Sequence, residues 1–302
     1  MFVVYYRAMR GVEVVEQAAK SVINPVKGMP FAWSINPYRG CYHQCVFCYA
    51  RRTHWFLDED GIDRWGSRIF VKVNAPAVVR REVARRSWKR EYVAIGTVTD
   101  PYQPLEGRYR LTRGILEALA DFETPAGLIT RSPLVVRDLD VLARLARVAG
   151  ASVSVSIATT DAALARQIEP TVAPPAQRLR TVETLASSGI RVSVALAPIL
   201  PGITDSAENI ASVVRAARGA GAAHVWHSTL YLHDVTREAY FAYLRERHPE
   251  LVESYERAYR GKYAPSRVTR PIDQRFDAAI RAYPKVARDF IAPNGPRQIS
   301  LL

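Results

Sequence analysis

Along this chain, short apolar runs alternate with longer stretches in which apolar positions recur every three or four residues. The runs FAWSI (31–35), EYVAIG (91–96), AGLIT (126–130), SVSVSI (152–157), IRVSVAL (190–196) and AHVWHS (223–228) are mostly rich in Val and Ile. Turn-forming Gly, Pro, Thr or Asp bounds them, as expected of strands. Between them, PAVVRREVARRSWKR (76–90), LTRGILEALADF (111–122), LVVRDLDVLARLARVAG (134–150), PAQRLRTVETLASSG (175–189) and SAENIASVVRAARGAG (206–221) have helical periodicity. Pro76 suits a first helical turn, and Gly150, Gly189 and Gly221 follow helix ends, where a left-handed residue is favoured. Six strand–helix units in series predict an α/β fold with a parallel sheet and right-handed crossovers. Six are too few for a complete eight-stranded barrel, so the expected architecture is an open, partial (β/α)6 TIM-type barrel. Functional residues should then gather at the C-terminal ends of the strands. The predicted organisation is an N-terminal extension (1–30), the partial barrel (31–235) and a C-terminal extension (236–302) packed on the barrel and available for substrate contacts. In that extension an aromatic, basic helical stretch gives way to a loop-like tail rich in Arg and Pro.

At 302 residues and 48% hydrophobic, the chain can bury a sizeable core and lacks the composition of a disordered protein. The six-residue apolar run in MFVVYYRAMRGVEVVEQ is too short for a signal sequence, and no later stretch approaches a membrane span, so a cytoplasmic protein without a membrane partner is expected. Only three cysteines, all within eight positions, argue against a secreted disulfide scaffold. The net charge of +13 favours polyanionic partners through counterion release and steering. A solvated basic surface would give the same count, so charge alone assigns no site.

The cysteines fall as Cys41-x3-Cys45-x2-Cys48, directly after the first predicted strand. Three thiolates can hold three irons of a cubane cluster and leave the fourth open. The alternative is a zinc site completed by His43 or His54, since structural zinc takes four ligands.

The spacing C-x3-C-x-aromatic-C after a first barrel strand resembles the signature of the radical S-adenosylmethionine (SAM) superfamily. Five blocks in order, NPYRGCYHQCVFCYARRTH, GTVTDPYQPLE, LITRSPLVVRDLDVL, SVSIATTD with IEPTVAPPAQRL, and ALAPILPGITD, are together similar to its spore photoproduct lyase-related branch over about residues 30 to 235. The resemblance implies a [4Fe-4S] cluster on Cys41, Cys45 and Cys48, with SAM on its open iron. One electron from an external flavodoxin- or ferredoxin-type donor would then cleave the sulfonium bond to a 5′-deoxyadenosyl radical. It also implies Phe47 near the adenine, Thr99 and Asp100 toward the SAM ammonium, and Arg131 toward its carboxylate. Ser156 would reach the carboxylate or ribose, Glu169 and Arg178 would support them less directly, and Pro198 to Gly202 would shape the loop near the adenine.

Two departures matter. Lyases of this branch use a further cysteine near the end of the second strand to return a hydrogen atom; here the stretch is Gly96-Thr97-Val98-Thr99, and there is no fourth cysteine. Tyrosines flank the last cluster cysteine in the family, whereas Phe47 and Tyr49 do so here, leaving Tyr49 as the candidate catalytic phenol. His224, His227 and His233 fall on or after the sixth strand and read as structural or substrate-contacting rather than a second metal site, because residues i and i+3 of a strand face opposite ways. In the tail, Tyr255, Tyr259 and Tyr263 interleave with Arg257, Arg260, Lys262, Arg267 and Arg270, a pattern suited to stacking bases and meeting phosphates.

The expected function is a radical SAM lyase-type enzyme acting on a DNA lesion. Two alternatives stand beside it: radical SAM modification of RNA, a peptide or a small molecule, and a non-catalytic zinc-stabilised nucleic-acid-binding module.

Overall fold

The computed structural model describes residues 2–5, 11–55, 65–285 and 287–293. Its strands are β1 (Phe2–Tyr5), β2 (Glu13–Gln17), β3 (Ile23–Pro25), β4 (Trp33–Ile35), β5 (Tyr38–Arg39), β6 (Arg68–Lys72), β7 (Val93–Ile95), β8 (Ala126–Thr130), β9 (Ala151–Ser156), β10 (Arg191–Ile199) and β11 (His224–Thr229). The helices are α1 (Arg52–Trp55), α2 (Ala75–Val83), α3 (Glu106–Tyr109), α4 (Leu111–Asp121), α5 (Leu139–Val148), α6 (Ala162–Ile168), α7 (Pro175–Ser187), α8 (Ala207–Gly219), α9 (Asp234–Arg247), α10 (Val252–Ala258) and α11 (Ser266–Ala282). Residues 1, 6–10 and 294–302, at the outer ends of the two expected extensions, lie outside the described residues.

The main sheet has the order β11-β10-β9-β8-β7-β4-β3. Its six predicted strands run parallel, and β3 adds an antiparallel edge against β4. The two edges, β3 and β11, are not joined, so the fold is the open, partial barrel expected from the pattern. Strand β9 shows why the residues choose this arrangement. Val153 and Val155 point into the core beneath the helices, while Ser152, Ser154 and Ser156 fall on the other face, where Trp226 Nε1 donates to Ser154 Oγ at 3.3 Å. The three predicted C-terminal glycines all have positive φ, from +77° to +112°.

Three features differ from the sequence expectation. A second sheet, β1-β2-β6-β5, lies partly in the N-terminal extension, where no strand was expected. Its central pairing joins Glu13–Gln17 to Arg68–Lys72 in parallel, a contact between segments some fifty residues apart that local periodicity does not reveal. Helix α2 stops at Val83, because Trp88 turns back to pack edge-on against Trp33 at 5.4 Å and to donate to Thr124 Oγ1 at 3.0 Å. The tail is not loop-like: α11 runs for 17 residues through Pro271. An interior proline costs a helix about 3 kcal/mol; burial of Ile272, Phe276 and Ala279 in the main core offsets it.

Candidate active site at the cysteine loop

The loop between β5 and α1 carries the three cysteines and is fastened at several points. Gly40 opens it with φ +82°, and a Cβ there would lie 2.7 Å from the Arg68 carbonyl and 2.9 Å from His54 Cε1. The Gly40 carbonyl accepts from Thr99 Oγ1 at 2.7 Å and from Gln103 Nε2 at 3.3 Å, while Gln103 Oε1 accepts from the Tyr42 N–H at 3.0 Å. On the far side Val46 N–H donates to the Ile168 carbonyl at 3.0 Å. Gly40→Ala forces an alanine into the left-handed region, at about 1–2 kcal/mol, and drives Cβ into backbone. The expected result is a thermal transition lowered by several degrees together with a reduced iron content, measured by calorimetry and metal analysis.

Cys41 and Cys45 are buried and Cys48 is partly buried. Burial pushes all three thiols up, Cys45 to about 12, where Glu169 and Cys48 add to the rise while Arg131 and Arg178 oppose it. Such thiols ionise only against a strong local positive charge, as a metal centre provides. Buried cations stand ready around them: besides Arg131 and Arg178, Arg51 Nη2 donates to the Cys45 carbonyl at 3.4 Å. The zinc alternative fits poorly. His43 Nε2 lies 3.1 Å from Asp100 Oδ2, and His54 Nε2 lies 3.0 Å from the Arg68 carbonyl with its ring edge-on to Trp65. Among the described residues, no group of three or more His, Cys, Asp or Glu side chains is gathered tightly enough for a single metal ion. Three thiols that hold separate iron atoms of one cluster need no such convergence.

Next to the cysteines lies a buried chain of charges. Arg131 Nε, at the end of β8, donates to Glu169 Oε1 at 2.8 Å, and Glu169 Oε2 lies 2.6 Å from Arg178 Nη2. Arg178 Nη1 in turn donates to the Ser156 carbonyl at the end of β9 at 2.8 Å. Burial works to raise the Glu169 carboxyl, but the Arg178 and Arg131 charges outweigh it and hold the group below its ordinary range. The Arg131 guanidinium also sits 5.6 Å from the centre of the buried Phe47 ring.

Asp100 Oδ1 accepts from Tyr102 N–H at 2.8 Å and Thr130 Oγ1 at 2.7 Å, and its Oδ2 accepts from Arg131 N–H at 2.7 Å. Burial alone would raise its carboxyl; the nearby His43, with these donors, brings it below the ordinary value instead. Both Asp100 oxygens and the Thr99 hydroxyl are thus spent on joining β7, β8 and the cysteine loop. Tyr49 stands apart as 51% exposed, its hydroxyl donating to the Thr97 carbonyl.

The structure therefore brings Cys41, Cys45, Cys48, Phe47, Tyr49, Thr99, Asp100, Arg131, Ser156, Glu169 and Arg178 to one end of the sheet. The tail cations Arg257, Arg260, Lys262, Arg267 and Arg270 are exposed on the extension, with Arg257 paired to Glu253. The aromatic interleaving is corrected: Tyr255 and Tyr259 are core residues packed with Tyr240, and Tyr263 remains exposed, edge-on to Tyr231 at 5.1 Å. His224, His227 and His233 do not converge; His227 packs on Phe276 at 4.3 Å, and His233 pairs with Asp234 at the start of α9. Sequence reasoning missed Asn36, Thr97 and Gln103, whose only signal was a position within a few residues of the cysteine loop or of the second strand's end.

Residues 35–214 match the family described as the radical SAM superfamily. The chain belongs to that superfamily. It is 39% identical over 277 residues to an uncharacterised protein of Mycobacterium tuberculosis, covering 90% of this chain and 82% of the relative. It is 30% identical over 195 residues to an uncharacterised protein of Methanocaldococcus jannaschii, covering 64% and 70%. Among solved structures, spore photoproduct lyase complexed with dinucleoside spore photoproduct matches at TM-score 0.69 and 14% identity, covering 89% of this chain and 79% of the lyase. A variant of that lyase, solved with bound AdoMet and dinucleoside spore photoproduct, matches at 0.68. The shared fold is that of the lyase. Radical SAM proteins use a [4Fe-4S] cluster and SAM, and the buried three-thiol loop with its surrounding cations fits that cluster. Among the described residues, no helix of this radical SAM protein is long and apolar enough to cross a membrane.

Proposed function

We propose that this chain cleaves SAM reductively and directs the chemistry at a lesion in DNA. When bound, the cluster and SAM supply a 5′-deoxyadenosyl radical at the cost of one external electron. Cys41, Cys45 and Cys48 would hold the cluster, and Arg131, fixed through Nε by Glu169 and through Nη2 by the Ala197 carbonyl, would offer its Nη1 donors to the SAM carboxylate. Phe47 borders the adenine, and Ser156 and Arg178 close the ribose side. Thr99 and Asp100 act by fixing the loop and the Arg131 backbone. Tyr49 gives its phenolic hydrogen atom to the substrate-derived radical in place of the missing cysteine, and the tyrosyl radical left behind is reduced by one electron from the external donor and a proton from solvent.

The observation that carries this reading is the half-exposed Tyr49 side chain next to the last cysteine of the loop, its hydroxyl on the Thr97 carbonyl, at the open end of a fold shared with a lyase solved with dinucleoside spore photoproduct. The net charge of +13 supports a polyanionic substrate. Anaerobic incubation with SAM, dithionite and UV-irradiated DNA should yield 5′-deoxyadenosine well above the DNA-free level; a yield equal to background removes DNA as the substrate. The Gly96-Thr97-Val98-Thr99 stretch, without a cysteine, supports a second reading on RNA, a peptide or a small molecule, and a parallel arm with tRNA in the same assay tests the first of these.

A further inference from the structure

At the C-terminal end of β4, the Asn36 carbonyl accepts from Lys72 Nζ at 2.8 Å. The Asn36 side chain donates to Thr97 Oγ1 at 3.1 Å and accepts from Val98 N–H at 2.9 Å. Because the Tyr49 hydroxyl rests on the Thr97 carbonyl, Asn36 and Thr97 together link the Lys72 ammonium to Tyr49.

Strand register brings a second cation to the same place. Tyr38 pairs with Val71 and Arg39 with Phe70, and Lys72 N–H donates to the Pro37 carbonyl at 3.1 Å. Tyr38 and Val71 are buried on one face of the small sheet, so Arg39 and Lys72 lie diagonally on the other. Both are half-buried, and among the described residues neither forms an ion pair with an acid. Glu82, whose field reaches Lys72, is committed to the N–H groups of Val22 and Ile23 and the hydroxyl of Ser21. Burial first, and then Arg39, lower the Lys72 ammonium to about 8. Two partly desolvated like charges, with no acid between them among the described residues, oppose folding unless an anion joins them.

We propose that Arg39 and Lys72 form a phosphate subsite that holds the nucleic-acid backbone next to Tyr49. This rests on the nucleic-acid reading above. Arg39 supplies a planar fork of donors, and Lys72 keeps two N–H groups after its bond to Asn36. A backbone phosphate held there would leave the adjoining nucleotide at the open strand ends. The residues come from β5 and β6 of the small sheet, so that sheet is part of the substrate surface, separate from the basic tail.

The test is binding of a short fluorescein-labelled oligothymidylate to the anaerobically reconstituted protein, followed by anisotropy over a range of salt. Wild type, Lys72→Gln, Arg39→Gln and Lys89→Gln are compared, with iron content and thermal transition measured for each. Lys89 is an exposed cation before β7, at the opposite end of the strands. Loss of one phosphate contact lowers the slope of log affinity against log salt by about 0.7 on a single strand. Each subsite variant should show that drop and bind several-fold more weakly, while Lys89→Gln keeps the wild-type slope. Arg39→Gln decides the matter if Lys72→Gln loses its fold. Salt-dependent wild-type binding that the subsite variants leave unchanged, or that Lys89→Gln weakens equally, overturns the subsite alone. Thymidine monophosphate competing as well as the oligonucleotide overturns its assignment to a polynucleotide backbone. Absence of wild-type binding overturns the nucleic-acid reading and the subsite with it.

Discussion

Cys45→Ala is expected to leave a protein that folds but retains neither a stable cluster nor SAM cleavage. Removing one of three thiolates leaves two to hold an assembly of four irons. Loss of a mere supporting contact around a metal typically costs 10–100-fold in affinity or activity, and loss of the ligand itself should exceed that. The fold should survive because the change removes a single sulfur from a pocket shared with Phe47, Ile168 and Leu200, a small deletion on the scale of core truncations. Iron and sulfide per chain, the visible spectrum and 5′-deoxyadenosine yield are the measurements, with the thermal transition of the metal-free protein as control. A Cys45→Ala protein with wild-type iron and SAM cleavage removes Cys45 from the ligand set.

The second large effect concerns stability. Glu169 is 1% exposed and lies between Arg178, also 1% exposed, and Arg131, 20% exposed. Glu169→Ala leaves two guanidinium groups next to one another without their anion. Breaking a buried pair from one side costs about 3–5 kcal/mol, which in a chain of this size corresponds to a fall in Tm of roughly 5–15 °C. Replacing both members of the deeper pair, Glu169→Leu with Arg178→Met, should recover much of that loss, because no unpaired charge then remains in the deepest part. Thermal unfolding of the three proteins, all metal-free, checks this. A single variant within about 1 kcal/mol of wild type shows that the triad is not a cooperative unit.

The loss expected from Glu169→Ala is one that the sequence does not announce. Arg131, Glu169 and Arg178 are separated by 38 and nine positions, and each alone could have been a surface ion. Strand ends and helix starts in a parallel sheet converge on one rim, and that convergence turned three scattered charges into one buried chain. Similarly, Asp100 appeared as an acceptor for a ligand, but His43, Thr130 and the Arg131 backbone occupy it in the fold. Tyr255 and Tyr259 read as stacking rings because their spacing matched the basic residues. Spacing says nothing of which face is buried until α9 and α10 close over the cysteine loop.

From residue order alone came the alternation of six parallel strands with helices, the glycine helix ends and the thiol triplet. These are local: period, turn residue and ligand spacing act over a few positions, and nearby residues carry the whole signal. The second sheet, the helix through Pro271, the buried charge chain and the Arg39–Lys72 pair emerged only when distant segments met. Their stability comes from burial and from charges brought together in a poorly hydrated place, and neither quantity exists before the chain has folded.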